Sequence, residues 1–240
     1  MTTRLARLAL SAAMVFTIPF AATHVLAAEV PVQPGATRLD GIAAVVGGLA
    51  PGPGVIAIYR SDVELRARMA LLRESSLRDA LGELPRGLLA ASLAELIGEA
   101  LIAVEAARLN LTQPSGADIA EERVRLLGER SVRGGPRELL GALGVGEREL
   151  SAWIDRRALV NTFLQANLEG TLEASEAELE RLFESEAHPF RGRTLEEVRP
   201  QFEPWLAQQR TEQAVSRWVS SLSQRTPHRV LVSYTSETDG

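Results

Sequence analysis

A mainly α chain with one small antiparallel sheet is predicted by three observations. The first is the run from Leu88 to Leu109, LLAASLAELIGEALIAVEAARL, which is rich in alanine and leucine and contains no proline. The second is the order of patterns: two short β-branched stretches, then amphipathic stretches to about Gln224, then an alternating stretch from His228. The third is the isolation of that last stretch, because a lone exposed edge strand is a liability and the N-terminal pair offers its only partner. The sheet therefore pairs an N-terminal hairpin with the C-terminal strand and draws both ends of the folded region together.

Length and composition set the frame. The chain has 240 residues, no cysteine and no lysine. Its first 27 residues read as a signal peptide: Arg4 and Arg7, an apolar stretch from Leu8 to Ala22, and Val25-Leu26-Ala27 as a small-residue cleavage site. Losing those two arginines takes the formal net charge from −5 to −7, so no nucleic-acid partner is expected. Thiolate metal sites are excluded. His188 and His228 stand far apart, so no metal and no cofactor is expected. Both read as incidental surface histidines.

Residues 28–38 carry two prolines and a glycine and read as a flexible lead-in. Leu39 to Val46 and Gly54 to Tyr59 read as strands around the turn-like Gly48 to Gly54. Ser61-Asp62-Val63-Glu64 reads as a capping box for a helix to Glu74, and a short helix is expected between Ser75 and Gly87.

In the Leu88–Leu109 run, Leu89, Leu93, Leu96, Ile97, Ala100, Leu101 and Val104 recur at three and four. That face is too wide for a surface helix and predicts a central one with partners on several sides. Its glutamates interrupt it too often for a membrane span, so no integral span is expected once the leader is cut.

A helix opens at Ser115 to Asp118 and closes at Gly134-Gly135. A short one spans Glu138 to Leu143 with Gly144 as its cap, and a long one spans Glu147 to Leu168. Ser175 to Glu178 and Thr194 to Glu197 read as two further capping boxes. The last long helix, with Pro200 and Pro204 in its first turns, is expected to kink or split there. His228 to Tyr234 reads as the final strand, and 235–240 as a polar tail.

No catalytic constellation appears: no nucleophile elbow, no phosphate-binding loop, no zinc-protease pair. Glu121-Glu122, Glu176/Glu178/Glu180 and Glu196-Glu197 read as solvated faces and helix N-terminal charges. The three tryptophans, Trp153, Trp205 and Trp218, all lie on the two later long helices. They read as core or as the lining of an apolar groove for extended polypeptide.

Several segments in order resemble the SurA-like periplasmic chaperones. These are LDGIAAVV with its return IYRSDVE, then LAELIGEALIAVEAARLNL, GVGERELSAWIDRRALVNTF, TLEASEAELERLFE, and the closing RGRTLEEVRPQFEPWLAQQRTEQAVSRWVSSL with its strand. The resemblance implies one helical chaperone domain over 39–234, with 194–234 returning to the N-terminal part. It implies a periplasmic or otherwise exported, ATP-independent holdase for unfolded polypeptides such as outer-membrane protein precursors.

The chain departs from that family in one respect: about twenty residues stand where a parvulin isomerase domain would need on the order of a hundred. No enzyme activity is therefore expected. The alternatives are a prolyl-isomerase-related enzyme and a non-catalytic assembly subunit with one fixed partner. The candidate peptide-contacting residues are Ile97, Leu101, Val104, Trp153, Phe163, Trp205 and Trp218.

Overall fold

The structure is a computed structural model that describes residues 40–48, 54–109, 113–128, 132–168, 174–185 and 188–234. The stretch read as a signal peptide, 1–27, the expected lead-in 28–38 and the expected tail 235–240 lie outside the described residues. Strand β1 spans Ile42–Val46 and β2 spans Ile56–Tyr59. Eight helices follow among the described residues: α1 Arg60–Glu74, α2 Leu77–Leu81, α3 Arg86–Arg108, α4 Gly116–Leu127, α5 Pro136–Ala142, α6 Glu147–Leu168, α7 Glu176–Glu184 and α8 Leu195–Arg225. Strand β3, His228–Val230, closes the order. The fold is mainly α with a three-stranded sheet in the order β2-β1-β3.

β1 lies in the middle and pairs antiparallel with both neighbours, Val45 opposite Ala57 on one side and Arg229 on the other. The N-terminal hairpin and the last strand thus meet as the sequence requires. Regular pairing of β3 is shorter than the alternation to Tyr234. After Val230 the amides of Leu231 and Val232 both turn to the Ala43 carbonyl (2.8 and 3.3 Å), which ends the ladder. Gly47 makes the turn out of β1 at φ +95°, where its backbone runs against the Gly54 carbonyl and leaves no room for a Cβ.

The helix starts show which sequence signals are local. Ser115 accepts from the Asp118 amide (3.2 Å) and Asp118 accepts from the Ser115 amide (2.8 Å), a complete capping box. Ser76 and Asp79 do the same for α2. The Thr194 amide donates to Glu197 at 3.3 Å. Ser61 does not cap α1. The helix begins earlier, at Arg60, where Asp62 accepts from the Tyr59 amide at 2.9 Å, and Ser61 is bound through its amide and hydroxyl to Asp40. Ser175 makes no side-chain cap either, and Glu178 turns outward to Arg210 on α8 (2.5 Å). α4 ends at Leu127, not at Gly134, because Gly128 takes φ +75° and breaks the run. α8 is one continuous helix through Pro200 and Pro204. Both prolines face solvent, so the carbonyls they leave unbonded, those of Glu196 and Pro200, lie on the wet side.

α3 is the one described helix long and apolar enough to cross a membrane by length and composition. Here it is the core helix. Leu93, Leu96, Ile97, Ala100, Leu101 and Ile102 are buried among β1, α6 and α8. α8 passes over Gly98, where a Cβ would meet the Val219 methyls at 3.6 Å, an ordinary contact distance.

Among the described residues the buried side chains form three clusters. The main one joins the sheet, α3, the second half of α6 and the C-terminal half of α8. A second joins Met69, Ala80, Leu126, Leu127, Leu139, Leu140, Leu150 and Ile154 from α1, α2, α4, α5 and α6. A third joins Leu179 of α7 to Leu195, Val198, Phe202 and Leu206 of α8. α8 is thus shared. Its second half belongs to the main core and its first half to a separate arm with α7.

Candidate functional site

The seven candidate residues do not line one groove. Leu101 (0 % exposed), Ile97 and Phe163 are buried in the main core. Val104 and Trp218 are half-buried against the same core, with Trp218 stacked on Phe163 at 4.8 Å between centroids. Trp153 packs on the second cluster and Trp205 on the third. α3, α6 and the C-terminal half of α8 meet over closed packing where the sequence left open a cleft.

Trp205 stands among the densest group of aromatic rings. It stacks on Phe202 at 5.7 Å and meets Phe190 edge-on at 6.2 Å. Phe202 meets Phe183 edge-on at 5.3 Å, and Phe183 stacks on His188 at 4.5 Å. Phe202 is fully buried; Phe183, Phe190 and Trp205 are half-buried. The rings are held from three segments: α7, α8 and the linker His188-Pro189-Phe190.

His188 is not a surface histidine but is buried, at 8 % exposure. Its Nδ1 accepts from the Phe190 amide (3.1 Å), which fixes the proton on Nε2, and Nε2–H donates to the Phe183 carbonyl (2.9 Å). The imidazole therefore pins the linker to the end of α7. Sequence reasoning missed Phe190 and His188 because they sit in a Pro-containing linker without periodicity. Two aromatic residues astride one proline was the available signal.

The second unusual site is ionic. Arg66 of α1 grips Glu99 of α3 with one nitrogen at 2.7 Å from each carboxylate oxygen, and reaches Glu95 at 3.3 Å. Arg157 of α6 bridges Glu99 (3.4 Å) and Glu122 of α4 (2.6 Å). Glu122 also accepts from Arg125 (2.6 Å) and Asn161 (2.7 Å). Glu122 is 1 % exposed, which corrects its reading as part of a solvated face; only its neighbour Glu121 is exposed. A buried carboxylate needs paired charge and hydrogen bonds, and Glu122 has both. The Arg66 guanidinium lies 6.0 Å from the Trp153 ring.

A cavity of about 100 Å³ opens beside this network, lined by α1, α3, α4 and α6. Its polar lining residues are Arg66, Arg73, Glu95, Glu99, Arg157 and Asn161, and its apolar ones include Met69, Ile102, Leu126 and Leu164. The sequence signal for the network was the pair Glu95 and Glu99, one turn apart on the most apolar helix. Acids there require a basic partner from a neighbouring element. Among the described residues no group of histidine and carboxylate side chains is arranged to hold a metal ion.

The two acids on α3 respond to burial in opposite ways. Burial pushes Glu99 up, but Arg66 and Arg157 outweigh it and hold the carboxyl below its ordinary value of 4.5. Burial also pushes Glu95 up, and there Arg66 does not compensate, so Glu95 stays raised. Glu99 thus contributes stability that is full above the ordinary carboxylate range and is lost as pH falls through its lowered folded value. Glu95 has the opposite sign, since protonation relieves its desolvation. The stability difference between wild type and Glu99→Gln is expected to be full near about pH 7 and to shrink below about pH 4.5, read from urea unfolding midpoints across pH.

No family model, no curated protein and no solved structure matches this chain.

Proposed function

We propose that the protein is an ATP-independent holdase that binds unfolded polypeptide in an exported compartment such as the Gram-negative envelope. The carrying observation is the arm. Phe183, Phe190 and Trp205 form a half-open aromatic surface on a small cluster of their own, fixed by His188 and Phe202. Rings half-exposed on a rigid support bind apolar side chains through area, with little demand on sequence. A client's aromatic and aliphatic side chains stack there, and outer-membrane protein precursors are clients of that composition. No nucleotide or metal is needed for binding of this kind. The main core, closed around α3, serves as the platform.

The reading is tested by light scattering of a denatured outer-membrane protein diluted into buffer. Stoichiometric wild-type protein is expected to suppress aggregation. Phe190→Ser/Trp205→Ser is expected to lose most of that suppression while the main core keeps its wild-type hydrogen-exchange protection. Aggregation unaffected by the wild type would sink the proposal, and full suppression by the double variant would move the site away from the arm.

A further inference from the structure

We propose that the cavity lined by α1, α3, α4 and α6 is a binding site for a carboxylate carrying a short apolar tail, separate from the aromatic arm. Three observations carry this. The first is charge: three arginines line the cavity, Arg66, Arg73 and Arg157, against two glutamates, Glu95 and Glu99. Glu99 is held by Arg66 and Arg157, and Glu95 has one longer contact, at 3.3 Å, to Arg66.

The second is a pair of donors without protein acceptors. Arg73, an exposed residue that is part of the cavity lining, makes no hydrogen bond or ion pair among the described residues, and partial burial first and then the like charges of Arg157 and Arg66 disfavour its charge. The Nε–H of Arg66, a residue about nine-tenths buried, likewise has no hydrogen-bond partner. An anion beside Arg73 relieves the repulsion among the three guanidinium groups, and its oxygens supply the missing acceptors. Charge-assisted bonds of this type are the strong ones.

The third is shape. Besides the arginines, the lining includes hydrocarbon from Met69, Ile102, Leu126 and Leu164. An apolar cavity of roughly 150 Å³ takes a benzene ring, so this one admits a tail of about three or four carbons. A short branched-chain acid has that form, and so does the free carboxyl end of a polypeptide finishing in valine or leucine.

The test is a titration of the whole chain with isovalerate, followed through the Trp153 indole N–H in nitrogen–proton correlation spectra. Saturable binding is expected for isovalerate and not for its neutral isostere isovaleramide. Arg73→Gln, at an exposed position, is expected to weaken binding at least about tenfold. Ala70→Leu, which extends a side chain from the cavity lining, is expected to block binding with every charge in place. Equal binding of acid and amide overturns the proposal, as does an affinity unchanged by both substitutions or no saturable binding at all. Competition by a valine-terminated peptide with a free carboxylate, and not by its C-terminal amide, assigns the site to a chain end. Its absence alongside isovalerate binding assigns it to a free small acid.

Discussion

Replacing Glu122 by alanine is expected to cost about 3–5 kcal/mol of folding stability, the usual result of removing one partner from a buried ion pair. The side chain accepts from Arg125, Arg157 and Asn161 and is almost completely buried. Without it Arg157 keeps only the longer contact to Glu99, at 3.4 Å, inside a largely buried site. The Asn161 amide loses its carboxylate acceptor as well. Most of the loss is therefore the penalty of charge left unpaired, and it should largely disappear when the partner is also removed. Glu122→Leu/Arg157→Leu is expected to be less damaging than Glu122→Ala, since hydrophobic replacement of a whole buried pair is often neutral. Glu121→Ala, one residue away, should change stability by no more than about 0.5 kcal/mol, because its pair with Arg125 is exposed. Urea unfolding decides this. The midpoint should fall sharply for Glu122→Ala, hardly move for Glu121→Ala, and the slope should stay constant. Equal midpoints for the two single variants would contradict the assignment of Glu122 to a buried network.

The contrast between these adjacent glutamates shows what the sequence discloses and what it withholds. Helical periodicity placed Leu93, Leu96, Ile97 and Leu101 on buried faces because burial of an apolar stripe depends on little beyond the stripe itself. The sheet was legible for a similar reason: three short β-branched stretches have few ways to satisfy their edges. The box at Ser115 and Asp118 was legible because both partners lie within one turn. Ser61 was not, since its partner Asp40 stands 21 positions away in sequence. Glu122 was taken for solvent-facing for the same reason: Arg157 and Asn161 reach it from a helix some 35 residues on. Trp153, Trp205 and Trp218 lie on apolar faces as read, yet those faces meet three different neighbours. Periodicity assigns a residue to a side of its helix and does not say which element covers that side. The aromatic arm was half visible. Phe183, Phe202 and Trp205 were recognisable as apolar members of their helices, and only the linker residues His188 and Phe190 complete the cluster.

Phe202→Ala is expected to melt the arm without unfolding the core. Truncating a fully buried phenylalanine costs about 3–5 kcal/mol, and Phe202 touches every other ring in the cluster. The arm has little to set against such a loss. Phe202 lies between Pro200 and Pro204, each of which removes a ladder hydrogen bond from α8. This half of α8 is a poor helix in isolation and depends on its packing with α7. The other half carries Val215, Val219 and Leu222 into the main core and has no such defect. Because the two halves belong to different clusters, opening of the first need not propagate into the second. Hydrogen exchange is the discriminating measurement. In Phe202→Ala, amides of 176–184 and 198–206 should lose protection by orders of magnitude, while those of 96–106 and 215–222 stay close to wild type. Uniform loss of protection would mean that the arm and the core fold as one unit. The same variant bears on the proposed holdase surface, because Trp205 and Phe190 remain in the chain but lose the ring that positions them. Aggregation suppression should therefore fall with the arm's protection factors, at temperatures where the core is still folded.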